Sequence, residues 1–186
     1  TCFCRHCQER ARNEGIDVDA AREGLKKLDE FFKSVRAGHK PTDGYLVEML
    51  RILLHNPAVV QYEKMWHESH KDLAREVYGL IKWLQPDAYV GQMVWQYINT
   101  FNPFLRAQWD LTEFTEFADW VKPVMYHIPA GPRMHGIVDG YTDSWLGDFD
   151  NDEALRVLYN ILQLDEPAYD ELVDTGFSAE YVKNET

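Results

Sequence analysis

The sequence predicts an α/β fold in which parallel strands are joined by helical crossovers and preceded by additional helices. Apolar residues recur at helical spacing from Leu25 to Leu84. Two β-rich runs, 88–95 (AYVGQMVW) and 119–127 (DWVKPVMYH), then break that period. The resulting order of helix, strand, loop, helix, strand, loop, helix implies parallel strands with right-handed crossovers.

The first element, 8–14, is short and polar and closes at Gly15. In the next helix Asp17 or Asp19 is the cap, and Leu25, Leu28, Phe31, Phe32 and Val35 form the apolar stripe up to a stop at Gly38. After His39-Lys40-Pro41, Thr42 is the N-cap candidate for a helix carrying Leu46, Met49, Leu50, Leu53 and Leu54. Asn56-Pro57 restarts the chain, with Asn at the cap and Pro at the first helical position. One long helix then reaches Leu84, with Trp66, His70, Leu73, Val77, Leu80, Ile81 and Leu84 lining one face.

Run 88–95 reads as a buried strand, 99–103 as a loop and 111–118 as a short helix. In the second strand, 119–127, Pro123 lacks a ladder donor and asks for a bulge or a strand start. Residues 129–132 read as a loop, 150–162 as a helix, and Ser178 as the cap of a last helix after Gly176. Two strands form no stable sheet alone, so the expectation is an internal piece of a larger α/β domain.

The chain has 186 residues, 45% apolar and 27% charged, which suits a folded core and excludes a disordered composition. A net charge of −12 argues against a nucleic-acid partner, which would need phosphates neutralised. No apolar run approaches the roughly 18 residues of a membrane span. No secretory leader or other address is visible, so the full-length protein is expected in the cytoplasm or exported. Aromatic residues make up 13% of the chain, and their rings suit both a core and stacking on ring-shaped ligands.

All three cysteines fall in Cys2-Phe3-Cys4-Arg5-His6-Cys7. A disulfide framework would spread them along the chain, whereas clustered thiols suit a tight metal loop. Thiolates favour zinc, and a structural zinc takes four ligands in a tetrahedron. Cys2, Cys4 and Cys7 supply three; His6 or a residue before Thr1 would supply the fourth. Adjacent His6 and Cys7 make a strained pair, which favours the upstream residue. The alternative is three inert thiols, and the absence of a strand-to-helix context weighs against a redox role.

The remaining polar candidates have plainer readings. Asp110, Glu113, Glu116 and Asp119 read as the solvated face and caps of a helix. Asp139, Asp143 and Asp148 lie near glycines, where turn chemistry explains them. The run 148–152 lacks the glycine and the bidentate Glu of a calcium loop. His55, His67 and His70 fall on helices, and Glu63, His67 and Glu68 would form a bundle metal site only with partners from other helices. Arg106 and Arg133 are loop arginines able to clamp an acidic ligand group, or simply solvated.

The cysteine loop resembles the zinc loop of clan A β-galactosidases that carry a four-cysteine site. More broadly, VGQMVW, Phe101-Asn102-Pro103-Phe104-x-Arg106-Ala107, Val121-Lys122-Pro123-Val124-Met125-Tyr126-His127 and Gly131-Pro132-Arg133-Met134 are similar to bacterial glycosidase-like (β/α)8 proteins. The resemblance implies a partial (β/α)8 TIM barrel, its central strands and helices, with a helical insertion. Residues 1–16 would be the cysteine metal loop and a short helix, 17–56 the insertion, serving as a lid or homo-oligomer contact, and 57–186 the βα units of about strands five and six, incomplete at both ends. Active sites of such barrels gather at strand C-termini. That places Trp95, Gln96, Asn99, Arg106, Tyr126, His127 and Arg133 as carbohydrate contacts. The two catalytic carboxylates of a glycoside hydrolase acting on a β-linked sugar would then fall outside the segment. The competing expectation is non-enzymatic: a zinc-stabilised interaction module or a carbohydrate-binding module.

Overall fold

In the computed structural model of the chain, residues 2–94, 107–123 and 132–162 are described. They form helices α1 (Arg5–Asn13), α2 (Val18–Arg36), α3 (Tyr45–His55) and α4 (Ala58–Leu84), strand β1 (Gly91–Val94), a 3-10 helix (Leu111–Glu116), strand β2 (Trp120–Pro123), and helices α5 (Pro132–Thr142) and α6 (Asn151–Leu162). The chain divides into two compact units, 1–63 with 127–186, and 64–126.

In the first unit, α2 starts as its sequence reads. Asp17 is the N-cap, its carboxylate accepting from the amides of Asp19 at 3.0 Å and Ala20 at 2.9 Å. Its apolar stripe meets α3 in a cluster of Phe31, Val35, Tyr45 and Met49, against which Trp145 packs. At Gly24 a Cβ would stand 2.4 Å from Val59 Cγ2, so only glycine lets α2 approach the start of α4 this closely. Helix α3 is not capped by Thr42. Gly44 is its N-cap, at φ 91°, and the Tyr45 amide donates to Asp148 Oδ2 at 2.7 Å. Helix α6 opens with a reciprocal box: Glu153 N–H donates to Asp150 Oδ1 at 2.8 Å and Asp150 N–H to Glu153 Oε2 at 3.1 Å.

In the second unit, β1 and β2 pair in parallel, in the places and direction their sequences predict, with Gly91 opposite Trp120 and Val94 opposite Pro123. Val94, Phe114 and Phe117 form a small core with Ala74, Tyr78 and Trp109. Much of the remaining adhesion is polar. Lys71, 2% exposed, lies between Glu113 and Glu68, the latter 3.0 Å away. Burial pulls the Lys71 ammonium down, but the two carboxylates outweigh it and hold it above its usual range. Arg75 bridges Asp72 and Glu116 at 3.1 and 3.0 Å. Asp119 is the hub: it accepts from Lys82 at 2.8 Å, the Val90 amide at 2.8 Å and the Tyr78 hydroxyl at 3.0 Å. Glu113, Glu116 and Asp119 are therefore tethers between elements, where a solvated helix face was expected.

The expected arc of a (β/α)8 barrel is not what forms. Among the described residues six α-helices surround no barrel wall, and the only sheet has two strands. Parallel barrel strands are covered on both faces. Here Met93, Trp120 and Val121 stand 51%, 50% and 37% exposed, so the run 88–95 is not the fully buried strand it resembles. Pro132, the last residue of the run read as a loop, is the first residue of α5. Helix α4, about 40 Å long, turns its predicted core stripe outward: Leu73, Val77, Leu80 and Leu84 are exposed, while the face bearing His67, Lys71, Ala74 and Tyr78 packs inward. No helix among the described residues is long and apolar enough to cross a membrane.

Two glycines give opposite outcomes in one experiment. A Cβ at Gly91 would meet the Trp120 ring at 2.0 Å, so Gly91→Ala is expected to lower unfolding free energy by about 1–3 kcal/mol in urea titration. At Gly79, inside α4, a Cβ meets nothing within 4 Å, and Gly79→Ala is expected to raise it by about 0.5–1 kcal/mol.

Acid tests the hub. Lys82, then the Val90 amide, holds the Asp119 carboxyl below its usual range. A lowered folded-state pKa stabilises above the unfolded value, near pH 4, and that stabilisation is lost as pH falls further. Urea midpoints followed from about pH 5 to pH 2 should therefore drop more steeply in the native protein than in Asp119→Asn.

Candidate metal centre

The cysteine cluster is built by the start of α1. Cys4 is the N-cap, with extended backbone at φ −67° and ψ 166°, and Cys7 is the third helical residue. A cap side chain and the third residue share one side of a helix start, so C-x-x-C in this register brings the two sulfurs together. Their Sγ atoms are 3.6 Å apart. Cys2 reaches back from the preceding residues, and its sulfur accepts the Cys4 amide at 3.4 Å. All three Sγ atoms lie within 4.8 Å of one another.

A tetrahedral ion with Zn–S bonds near 2.3 Å has sulfur–sulfur edges of about 3.8 Å. The Cys4–Cys7 separation already matches that edge, and the remaining sulfurs need a contraction of about 1 Å or less. The electrostatics is uneven. The Cys7 amide, then the Cys2 and Cys7 sulfurs, lower the Cys4 thiol to about 7. Burial, followed by the neighbouring sulfurs, pushes Cys7 up to about 11. A bound cation would favour the thiolate form of both sulfurs.

The loop is held in place by residues far away in sequence. Phe3 stacks on Tyr62 of α4 with ring centroids 4.5 Å apart, and Arg22 of α2 lies 5.0 Å over the other partner of that stack, Phe3. The fully buried Tyr62 donates its hydroxyl to the Cys2 carbonyl at 2.9 Å. Gln8 donates to the Phe3 carbonyl at 2.7 Å. The periodicity of α4 marks Tyr62 as an ordinary apolar position, and no local signal connects it to Cys2.

Other candidates do not join the cluster. His6, its side chain 79% exposed, faces Glu9 at 4.0 Å and supplies no fourth ligand. Among the described residues, Cys2, Cys4 and Cys7 are the only His, Cys, Asp or Glu group close enough to hold a metal. His67 is a core histidine: Trp109 Nε1 donates to its Nδ1 at 3.2 Å, and burial, then His70 and Lys71, lowers its pKa. Burial raises the Glu63 carboxyl. Asp139 lies 3.1 Å from His135, and Asp148 and Asp150 cap helices, so the run 148–152 is used structurally. An open groove of about 540 Å³ runs beside α2 and α3, but its Arg51 is already bridged to Asp43 and Glu48.

Of the residues expected to contact carbohydrate, Trp95, Gln96, Asn99, Arg106, Tyr126 and His127 lie outside the described residues, as does the side chain of Arg133. No protein-family model, curated protein or solved structure matches the chain.

Removing the one hydroxyl that ties α4 to the loop isolates its contribution. Tyr62→Phe keeps the stack on Phe3 and is expected to cost about 0.5–1.5 kcal/mol in urea unfolding, whereas Tyr62→Ala, which also empties a buried site, should cost at least about 3 kcal/mol.

Proposed function

We propose that the chain is a zinc-binding helical module in which Cys2, Cys4 and Cys7 hold the ion and the ion has a structural role. The observation that carries this reading is the approach of three sulfurs to within 4.8 Å at one helix start, with one pair at 3.6 Å. Soft thiolate ligands select zinc over hard cations such as magnesium or calcium.

The donor set favours structure over hydrolysis. Three thiolates more than neutralise a divalent ion, which weakens its pull on a bound water and raises the cost of forming hydroxide there. Catalytic zinc sites rely instead on neutral imidazoles or mixed ligands, with a base nearby. No imidazole or carboxylate among the described residues joins this cluster. What the sulfurs do touch is packing: Cys2 carries the carbonyl bound by Tyr62, and Phe3 between Cys2 and Cys4 stacks on the same ring. A bound ion would therefore stiffen the loop that joins α1 to the start of α4. A fourth ligand would be solvent or a donor from outside the described residues.

Contact with a β-linked carbohydrate, the expectation raised by the resemblance, would rest on Trp95, Gln96, Asn99, Arg106, Tyr126, His127 and Arg133, with any hydrolytic carboxylates outside the segment. The described residues add no observation in its favour.

Elemental analysis of the purified chain tests the proposal, with one zinc expected per native chain and a loss to background in Cys4→Ser. With free zinc about 1,000-fold above its Kd, the folded state gains about 4 kcal/mol, which should raise Tm by roughly 10 °C over the chelator-treated protein. Cobalt substituted for zinc should show thiolate charge-transfer absorption with tetrahedral visible bands. Absence of metal from both proteins removes the centre; bound zinc with no change in Tm removes its structural role.

A further inference from the structure

Cys4 and Cys7 also form a dithiol. Their sulfurs are 3.6 Å apart and free, Cys4 is exposed at the N-cap of α1, and Cys7 is half-buried one helical turn on. We propose that a low-molecular-weight disulfide such as oxidised glutathione converts this pair to an intramolecular Cys4–Cys7 disulfide and thereby displaces the metal. The displacement rests on the zinc reading of the same sulfurs, while disulfide formation depends only on the geometry of the pair.

The geometry suits closure. A cap residue and the third helical residue share one side of the helix start, as a disulfide with Cβ atoms about 3.5–4.5 Å apart requires. Bringing the sulfurs from 3.6 Å to about 2.05 Å therefore takes side-chain rotation and a slight tightening of the first turn. Cys4 and Cys7 are the pair whose sulfurs are in hydrogen-bond contact. A bond between Cys2 and Cys4 would close a ring across a single intervening residue, and the Cys4 amide already directs itself at Cys2 Sγ. Exposure sets the order of attack, with Cys4 reaching an external disulfide first and Cys7 resolving the product.

The chemistry balances in two exchanges. The Cys4 thiolate attacks one sulfur of glutathione disulfide, forming a Cys4–glutathione bond as the glutathione S–S bond breaks and one glutathione thiolate leaves. Cys7 sulfur then attacks Cys4 sulfur, forming the Cys4–Cys7 bond and expelling the second glutathione thiolate. The protein loses two electrons and glutathione disulfide gains them. From the metal-free dithiol, the two thiol protons end on the two glutathiones. From the zinc-bound protein two Zn–S bonds break, and the glutathiones take protons from water. Of the three described sulfurs Cys2 alone then remains for the ion, which has lost half of a tetrahedral ligand set.

The experiment uses the full chain, analysed as purified and after zinc loading, then equilibrated anaerobically across a series of oxidised-to-reduced glutathione ratios. Released zinc is read with a chromogenic chelator, intact mass after acid quench, and the linkage by peptide mapping. The expected result is one zinc released per Cys4–Cys7 disulfide, a mass lower by two hydrogens, and recovery of both thiols and metal on adding dithiothreitol with zinc. Cys2→Ser should still form the disulfide, and Cys7→Ser should stop at the Cys4–glutathione adduct. A chain that holds zinc yet stays reduced, ends only glutathionylated, or links Cys2 overturns the dithiol proposal. A chain that forms the Cys4–Cys7 disulfide but never binds zinc overturns the metal reading and the displacement with it.

Discussion

Cys4 is at the N-cap of α1, and its approach to Cys7 follows from that backbone fact. An N-cap leaves the helical path while its side chain still reaches the first turn, so a sulfur there necessarily meets a sulfur at the third helical position. The extended backbone of Cys4 also aims its own amide back along the chain, where Cys2 sulfur accepts it. In a helix with an ordinary capping box that amide would go to a Glu or Gln at the third position. Here that position is occupied by Cys7, and the acceptor role passes to Cys2. The helix start thus brings Cys4 and Cys7 together and points the Cys4 amide at Cys2, while Tyr62 of α4 anchors the Cys2 carbonyl from behind.

A different economy of charge operates in residues 64–126. The chain carries 31 acidic residues against 19 lysines and arginines, which would be repulsive if all of them were merely solvated. Several acids instead bind elements together. Asp119 sits just before β2 and accepts from the amide just before β1, so one carboxylate sets the strand register at its start and ties both strands to Lys82 of α4. The buried Lys71 gives the long helix a second attachment, to Glu113 of the 3-10 helix. Such a pair contributes little relative to an apolar contact of similar volume, yet leaving one partner unpaired costs several kcal/mol. Helix α4 turns the face bearing Lys71, Ala74 and Tyr78 inward while Leu73, Val77, Leu80 and Leu84 stay exposed.

These two economies mark what was legible in the sequence. Features determined within a few residues were readable: Asp17 as a cap, a break at Asn56-Pro57 (where Asn56 instead ends α3 and α4 starts at Ala58), strands Gly91–Val94 and Trp120–Pro123 within the two β-rich runs, and the cysteine spacing. Features set by distant partners were not. Thr42 is a good cap in isolation, but Asp148 supplies the acceptor to α3 from 103 residues away. The stripe from Leu73 to Leu84 has helical spacing, and spacing alone cannot tell which face finds a partner when the opposite face carries paired charges. Helix α5 was masked by its own composition, since Pro132, Gly136 and Gly140 signal a loop although Met134 and Val138 bury fully. The βα rhythm implied a larger α/β sheet because it records the order of elements, and order does not say how many strands a sheet will hold.

The same lone pairs serve two ends at the cysteine centre, and this limits how the site can be built. A thiolate that donates to zinc is shielded from an external disulfide only as far as the ion and the remaining ligands cover it. A closed four-thiolate centre on folded protein covers all of its sulfurs. Among the three described sulfurs, Cys4 is the exposed one and the one an external disulfide meets first. The anchors behind the cluster, Tyr62 on the Cys2 carbonyl and Gln8 on the Phe3 carbonyl, bind backbone and leave the sulfurs unengaged. Oxidation of Cys4 and Cys7 would therefore leave those anchors intact. The loop would keep its seat on α4 with or without the ion, which is the condition for a centre that can lose its metal and take it back.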